Sequence, residues 1–251
     1  MSAIGVFVAT RWELSAVRQA FVTTDLQVVG GVRCHVARQA QTEWWLIPMG
    51  VGPERAAATA ANVLAAKRLD AIWSTGFACA LGPADIGDLL IGTGVTRVDG
   101  RTPGHPVACA PFMVEWVCQA LHAKGMEAQR GGFVTVPQVL GRAEEKREMA
   151  DLVGGIGLDM ESAALGRVAT EQRIPFAIVR TVSDLVDESL PLDFNLFLRP
   201  SGWAKGVAAC LAHPSSLIGL NRLRVQSRIA GQQLTALYQA CADRAIHEGF
   251  A

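Results

Sequence analysis

The chain has 251 residues, half of them apolar, with 23 basic side chains against 23 acidic ones. That length suits one large α/β domain, and the balanced charge leaves no electrostatic footprint for nucleic acid or an acidic membrane. Six cysteines without a C-x-x-C pair or a cysteine–histidine cluster fit reduced, buried thiols, not a disulfide framework or a zinc site. "MSAIGVFVAT" has no basic leader and no apolar stretch is long enough to span a bilayer, so a cytoplasmic protein is expected.

Residues 3–10, "AIGVFVAT", are a short β-branched apolar run and predict a buried strand. "ELSAVRQAF" sets Leu14, Val17 and Phe21 at helical spacing, and "RCHVARQA" and "EWWLIPMG" read as paired strands. In "GVGPERAAATAANVLAAKRL" Gly50 and Gly52 make a turn, Pro53 suits the first helical position, and alanines carry the helix to Leu69. "DAIWSTGFA" is a further buried strand; "GDLLIGTGVTRVDG" and "GGFVTVPQV" are strands separated by a helix over 112–124. A helix over 160–172 leads into the strand "IPFAIVRTVSD", opened by Pro175.

Beyond Phe194 the pattern is helical, with a break at Pro214. The last segment sets Arg222, Arg224 and Arg228 beside Leu220, Leu223, Ile229 and Leu234. A packed C-terminal helix with a solvated face is the expectation, and peripheral membrane contact through it is the alternative. The alternation predicts an α/β fold: a three-layer α/β/α sandwich around a mixed, mostly parallel sheet. It forms a single domain over 1–251, with 190–251 as its helical C-terminal extension.

"IGLDMESAALGRV" places Asp159 and Glu161 where an apolar helix begins. The helix advances about 1.5 Å per residue and the next strand about 3.3 Å per residue, so Asp184 returns to the rim where Glu161 started. Glu13 also follows a strand. With parallel strands, all three acids gather at the carboxyl ends of the sheet, where open α/β folds bind ligands. Singly, each acid has a structural explanation: Asp159 as an N-cap, which is the preferred reading for it, Glu161 and Glu13 as helix-start acids, Asp184 as a turn residue. Arg180, inside an apolar strand, needs a partner and would find it in one of them.

The segment "GLDMESAALGRVATEQRIPFAIVRTVSD" resembles the signature of the purine nucleoside phosphorylase and methylthioadenosine/S-adenosylhomocysteine nucleosidase superfamily. "IGVFVATRWELSAV", "MGVGPERAAATAA" and "DAIWSTGFACAL" resemble its first strand and helix, its G-x-G helix start and its T-G-x-A-G-G strand end. The resemblance implies that Glu161 accepts hydrogen bonds from the ribose diol. It also implies that Met160 packs on the sugar and that Asp184 protonates or hydrogen-bonds N7 of the base, which asks for a raised pKa in a desolvated pocket. Glu13 would activate water and Arg180 would position water or phosphate. Val51 and Phe194 would line the 5′ pocket, with Gly52, Gly76, Phe77 and Ser183 also in the site, and Val139 and Leu140 would offer backbone groups to the base. No metal or cofactor is implied, phosphate being a co-substrate only in a phosphorylase.

In "TGFACAL" Phe77 stands where the family has a small hydroxyl residue, and Cys79 and Ala80 where it has glycines. The Glu13 match and the absence of an arginine before Thr75 favour hydrolysis over phosphorolysis. The long tail resembles the hopanoid-associated branch, whose substrate is adenosylhopane, and Phe194, Leu196, Phe197 and Trp203 would line an apolar channel for it. A small thioether nucleoside is the alternative substrate, and a non-catalytic nucleoside-binding or storage protein the alternative of another class. The resemblance implies a small-molecule purine nucleoside as partner, no nucleic acid, and a homo-oligomer, with a dimer favoured.

Overall fold

The computed structural model describes residues 1–192, 194–195 and 215–248. Strands that are covered on both faces must be apolar throughout, and such strands form the centre. β1 (Ser2–Val8), β5 (Ala71–Ala80) and β11 (Phe176–Asp184) are buried along nearly their whole length. They lie side by side and parallel, with β4 (Thr42–Pro48) parallel to β1 on its outer side. β3 (Val32–Gln39) and β2 (Asp25–Val29) extend that edge in antiparallel fashion.

Beyond β11 come β6 (Leu89–Asp99), antiparallel to it, then β9 (Gln129–Thr135) and β10 (Gly157–Asp159), each parallel to its predecessor. The short β7 (Thr102–Pro103) and β8 (Val107–Ala108) pair with β6. β10 also pairs antiparallel with β5, Gly157 opposite Ala80 and Leu158 opposite Cys79, so strands 5, 11, 6, 9 and 10 close into a ring.

Helices cover both faces, as the sandwich requires. α2 (Pro53–Ala66) and α5 (Ser162–Gln172) pack together on one side; α1 (Arg11–Gln19), α3 (Pro111–His122) and α6 (Ser215–Glu248) share the other. Successive residues of β5 show the two sides. Ser74 meets Ser162 of α5 at 2.8 Å, while Thr75 meets the Tyr238 hydroxyl of α6 at 2.5 Å. α4 (Ala143–Val153) closes the β9–β10 end, its Met149 clustering with Val134, Val136 and Leu158.

The differences from the expected elements have local causes. The expected helix over 160–172 begins at Ser162 because residues 157–159 are drawn into β10. α2 stops at Ala66, where Lys67 turns to extended backbone, short of the expected Leu69. α4, a polar helix, and β2, whose Leu26 and Val28 face solvent, lack the apolar periodicity that marks an element. α6 buries Ala230, Leu234, Leu237, Tyr238 and Cys241 and leaves Arg222, Arg224 and Arg228 exposed, which is the packed reading. No helix among the described residues is long and apolar enough to cross a membrane. The five described cysteines are free and buried. Leu196, Phe197, Trp203, Cys210 and the break at Pro214 lie outside the described residues.

An aromatic cluster fastens α6 to the sheet. Trp44 and Trp73 meet edge to face with centroids 5.5 Å apart, and both contact Tyr238. Tyr238→Phe keeps the ring but leaves the buried Thr75 hydroxyl without its partner. It should cost about 1–3 kcal/mol, read as a lowered urea midpoint with an unchanged m-value.

Candidate active site

Arg180 sits in the middle of β11 with 1% of its side chain exposed. Its Nη2 donates to Asp159 Oδ2 at 2.8 Å, to Ser74 Oγ at 2.9 Å and to Ser162 Oγ at 3.2 Å; Nη1 donates to the Phe77 carbonyl at 3.2 Å. Burial by itself lowers the pKa of this guanidinium, but Asp159, Glu161 and Glu13 more than offset it and hold the group above its ordinary value. Asp159 is therefore more than the helix cap expected. Its Oδ1 accepts from the Ser162 N–H at 3.2 Å and from Thr135 Oγ1 at 2.6 Å, while Oδ2 receives the Ser162 hydroxyl and the arginine. The antiparallel pairing of β10 with the end of β5 carries Asp159 and Glu161 back over Arg180.

Glu13 reaches the same place from β1. Thr10 caps α1, and Glu13, its capping-box partner, is 4% exposed. Glu13 Oε2 accepts from the N–H groups of Ala9 and Thr10 at 3.1 and 2.7 Å and from the Thr10 hydroxyl at 2.9 Å. Oε1 accepts from the Phe77 N–H at 2.8 Å. Gly76 lies between Glu13 and Arg180: a Cβ there would overlap Glu13 Oε1 and sit 2.9 Å from Arg180 Nη1. Its φ of +147° is also one that L side chains rarely adopt.

Glu161 stands at the N-terminus of α5. Its Oε1 accepts from the Gly52 N–H at 2.8 Å, and Oε2 is 3.9 Å from Arg180 Nη2. Burial pushes its pKa up to about 7, with Arg180 and the Gly52 N–H opposing and Asp159 and Glu13 adding to the shift. The Gly52 bond ties this acid to the β4–α2 turn, where Pro53 opens the helix and Gly52 takes φ +101°. Val51 beside it and Met160 beside Glu161 are half-buried.

Asp184 ends β11, opposite Cys79 of β5. The desolvated apolar surround expected for it is replaced by a cation: Lys146 of α4, 1% exposed, donates to Asp184 Oδ2 at 2.7 Å. Its remaining protons go to the carbonyls of Leu185 at 3.1 Å and Glu188 at 2.8 Å, and Ser183 Oγ donates to Asp184 Oδ1 at 3.2 Å. Lys146 had no sequence cue, because "AEEKREM" reads as a solvated face. The Cys79 thiol is held protonated, raised by burial first and by the neighbouring Asp184 next.

Phe77, the departure from the family pattern, serves the cluster through its backbone, with N–H to Glu13 and C=O to Arg180. Its ring lies on the α6 side, near Gly231 and Ala16. Val139 is half-buried, with its N–H and C=O paired to the Asn195 side chain at 2.8 and 2.9 Å. Leu140 packs on the Met149 cluster, and Phe194 is half-buried.

Glu13, Gly52, Phe77 and Asp184 thus sit at the carboxyl ends of the parallel strands β1, β4, β5 and β11, with Arg180 linking Glu13 to Glu161. A groove of about 610 Å³ lined by residues 64–70 and 172–175 lies at the opposite ends of β5 and β11 and contains none of these acids.

Gly76→Ala sets a methyl group between Glu13 and Arg180 on a disfavoured backbone. Strain of about 1–3 kcal/mol should appear as a lowered denaturation midpoint. Any activity of the chain should fall with it even at temperatures where the variant is folded.

Residues 3–201 match the family described as the Phosphorylase superfamily. A 5′-methylthioadenosine/S-adenosylhomocysteine nucleosidase of Haemophilus ducreyi is 25% identical over 211 residues, 78% of this chain and 90% of the relative. Among solved structures, futalosine hydrolase of Helicobacter pylori superposes with a TM-score of 0.76 at 15% identity, covering 96% of this chain and 97% of that one. The S-adenosylhomocysteine nucleosidase of Streptococcus pyogenes, in complex with 5-methylthiotubericidin, gives 0.72 at 19% identity, covering 95% and 96%. The two structures share its fold. With the family match covering most of its length, the chain belongs to the Phosphorylase superfamily and is an enzyme of its nucleosidase and phosphorylase group.

Proposed function

We propose that the chain hydrolyses the N-glycosidic bond of an adenine nucleoside with an apolar 5′ substituent. The observation that carries this reading is the cluster itself: Glu161 at 3.9 Å from a buried Arg180, Glu13 facing the same arginine across Gly76, and Asp184 at the end of the same strand. Cleavage breaks C1′–N9, leaves positive charge on the sugar and sends an electron pair to the base. Glu161 would accept from the 2′- and 3′-hydroxyls and Glu13 would take a proton from the attacking water. Asp184, after taking up a proton from solvent, would pass it to N7, and the Lys146 ammonium would stabilise the carboxylate that remains.

Three features favour water over phosphate as acceptor. Asp159, Glu161 and Glu13 surround the buried Arg180, and its Nη groups are already engaged, so an incoming dianion meets excess negative charge. Arg180 Nε is buried with no partner among the described residues, a donor that a bound water suits. The relative from Haemophilus ducreyi is itself named a nucleosidase. The finer assignment, adenosylhopane, rests on the resemblance of the tail and on Phe194, which is half-buried. Each buried CH₂ of such a chain would add about 0.8 kcal/mol.

Product analysis on adenosine, methylthioadenosine and a long-chain 5′-alkyl adenosine, with and without phosphate, tests the proposal. Free adenine and a reducing sugar, formed without phosphate and fastest with the long chain, are expected. A sugar 1-phosphate would establish phosphorolysis, and saturable binding without release would establish a binding protein. Asp184→Asn should lower kcat by about 10²–10⁴ and leave KM within a few-fold.

The Glu161 pKa near 7 gives a signed pH dependence. Below that pH the carboxyl is protonated and loses acceptor capacity for the diol, so KM should rise as pH falls through 7. Glu161→Gln should raise KM at every pH and abolish that slope.

A further inference from the structure

The chain leaving β11 runs back along the loop between β9 and α4. Lys146 holds Asp184 and the carbonyls of Leu185 and Glu188. The Ala143 N–H donates to Ser189 Oγ at 3.2 Å, and the Leu190 N–H donates to the Gly141 carbonyl at 2.7 Å. The last pairing differs in kind. Val139 donates its N–H to Asn195 Oδ1 at 2.8 Å and accepts from Asn195 Nδ2 at 2.9 Å. One planar side-chain amide therefore answers both polar groups of one backbone residue. The backbone also fixes which amide atom is which, since a flipped amide would set donor on donor and acceptor on acceptor.

A carboxamide offers an acceptor and an adjacent N–H donor in one plane. The Watson–Crick edge of adenine offers the same pair, as N1 and the 6-amino group. Val139 is only half-buried, and the loop that carries it is pinned through Lys146 to the carboxylate assigned to the base. We propose that Asn195 is an internal occupant of the base-reading edge: its carboxamide fills the Val139 pairing site in the absence of ligand, and the purine displaces it. The proposal rests on the adenine-nucleoside reading above. It makes Asn195 a determinant of apparent affinity, because the binding-competent fraction is the fraction in which Asn195 has let go. At Val139 itself the exchange replaces two hydrogen bonds to the amide by two to the base, so neither backbone group is left without a partner.

Adenine itself is the probe. Its dissociation constant is measured by calorimetry on the wild type and on Asn195→Ala and Asn195→Asp, and the Asn195 side-chain amide is followed by ¹⁵N NMR in the wild type. Removing the internal occupant should tighten adenine binding about tenfold, the effect of a competent fraction of about one tenth. Asn195→Asp, which keeps size but has no N–H for the Val139 carbonyl, should tighten it in the same direction. In the wild type, adenine should shift the Asn195 amide resonances towards solvent values. Wild-type affinity that is equal to, or tighter than, that of both variants would overturn the proposal while leaving the nucleoside reading intact, as would amide resonances that adenine does not move. No adenine binding by any of the three proteins would overturn both.

Discussion

Placing a guanidinium inside a strand that is covered on both faces obliges the rest of the chain to supply its counter-charges. The strand around Arg180 is apolar, and a bare charge there would cost several kcal/mol. Asp159 answers most directly, and it does so only because β10 turns against the end of β5. Ser74 and Ser162 share Nη2 with it and the Phe77 carbonyl takes a proton of Nη1, and Gly76 carries no side chain because a Cβ there would meet both Glu13 and Arg180. The loop geometry, the choice of small residues on β5 and the entry of α5 all follow from that one buried cation.

Positive charge is distributed as two separate groupings. Arg180 serves Asp159, Glu161 and Glu13, while Lys146 serves Asp184. The acids around Arg180 outnumber their counter-ion and keep acceptor capacity for hydroxyls and water, whereas Asp184 faces an ammonium with a matching charge. A neutral sugar and a neutral water suit the first environment better than a phosphate does.

The sequence carried the strands that are buried on both faces, the alanine-rich α2 and the acid positions, because an uninterrupted apolar run or a signature at fixed spacing needs no partner to be read. β10 was not legible: "GLD" is three residues long, and its strand conformation comes from β5 and β9 and not from its own propensity. The same tertiary override moved the start of α5 to Ser162. Lys146 was hidden for a related reason, since a lysine among glutamates looks solvated until the segment after β11 folds over it. Phe77 departs from the family pattern only in its side chain. The backbone of that residue is what meets Glu13 and Arg180, and its ring faces the opposite layer.

The closed ring of strands 5, 11, 6, 9 and 10 has a bearing on how the chain comes to be competent at all. The bonds that assemble the cluster join residues 64, 103, 106 and 109 positions apart, in the pairs Phe77–Glu13, Phe77–Arg180, Ser74–Arg180 and Gly52–Glu161. Such distant pairings are slow to form and arrive together. A nascent chain that has emerged only as far as β9 can therefore join Glu13 to Phe77 but has neither Glu161 nor Arg180, and the cluster is complete only when β11 is laid down.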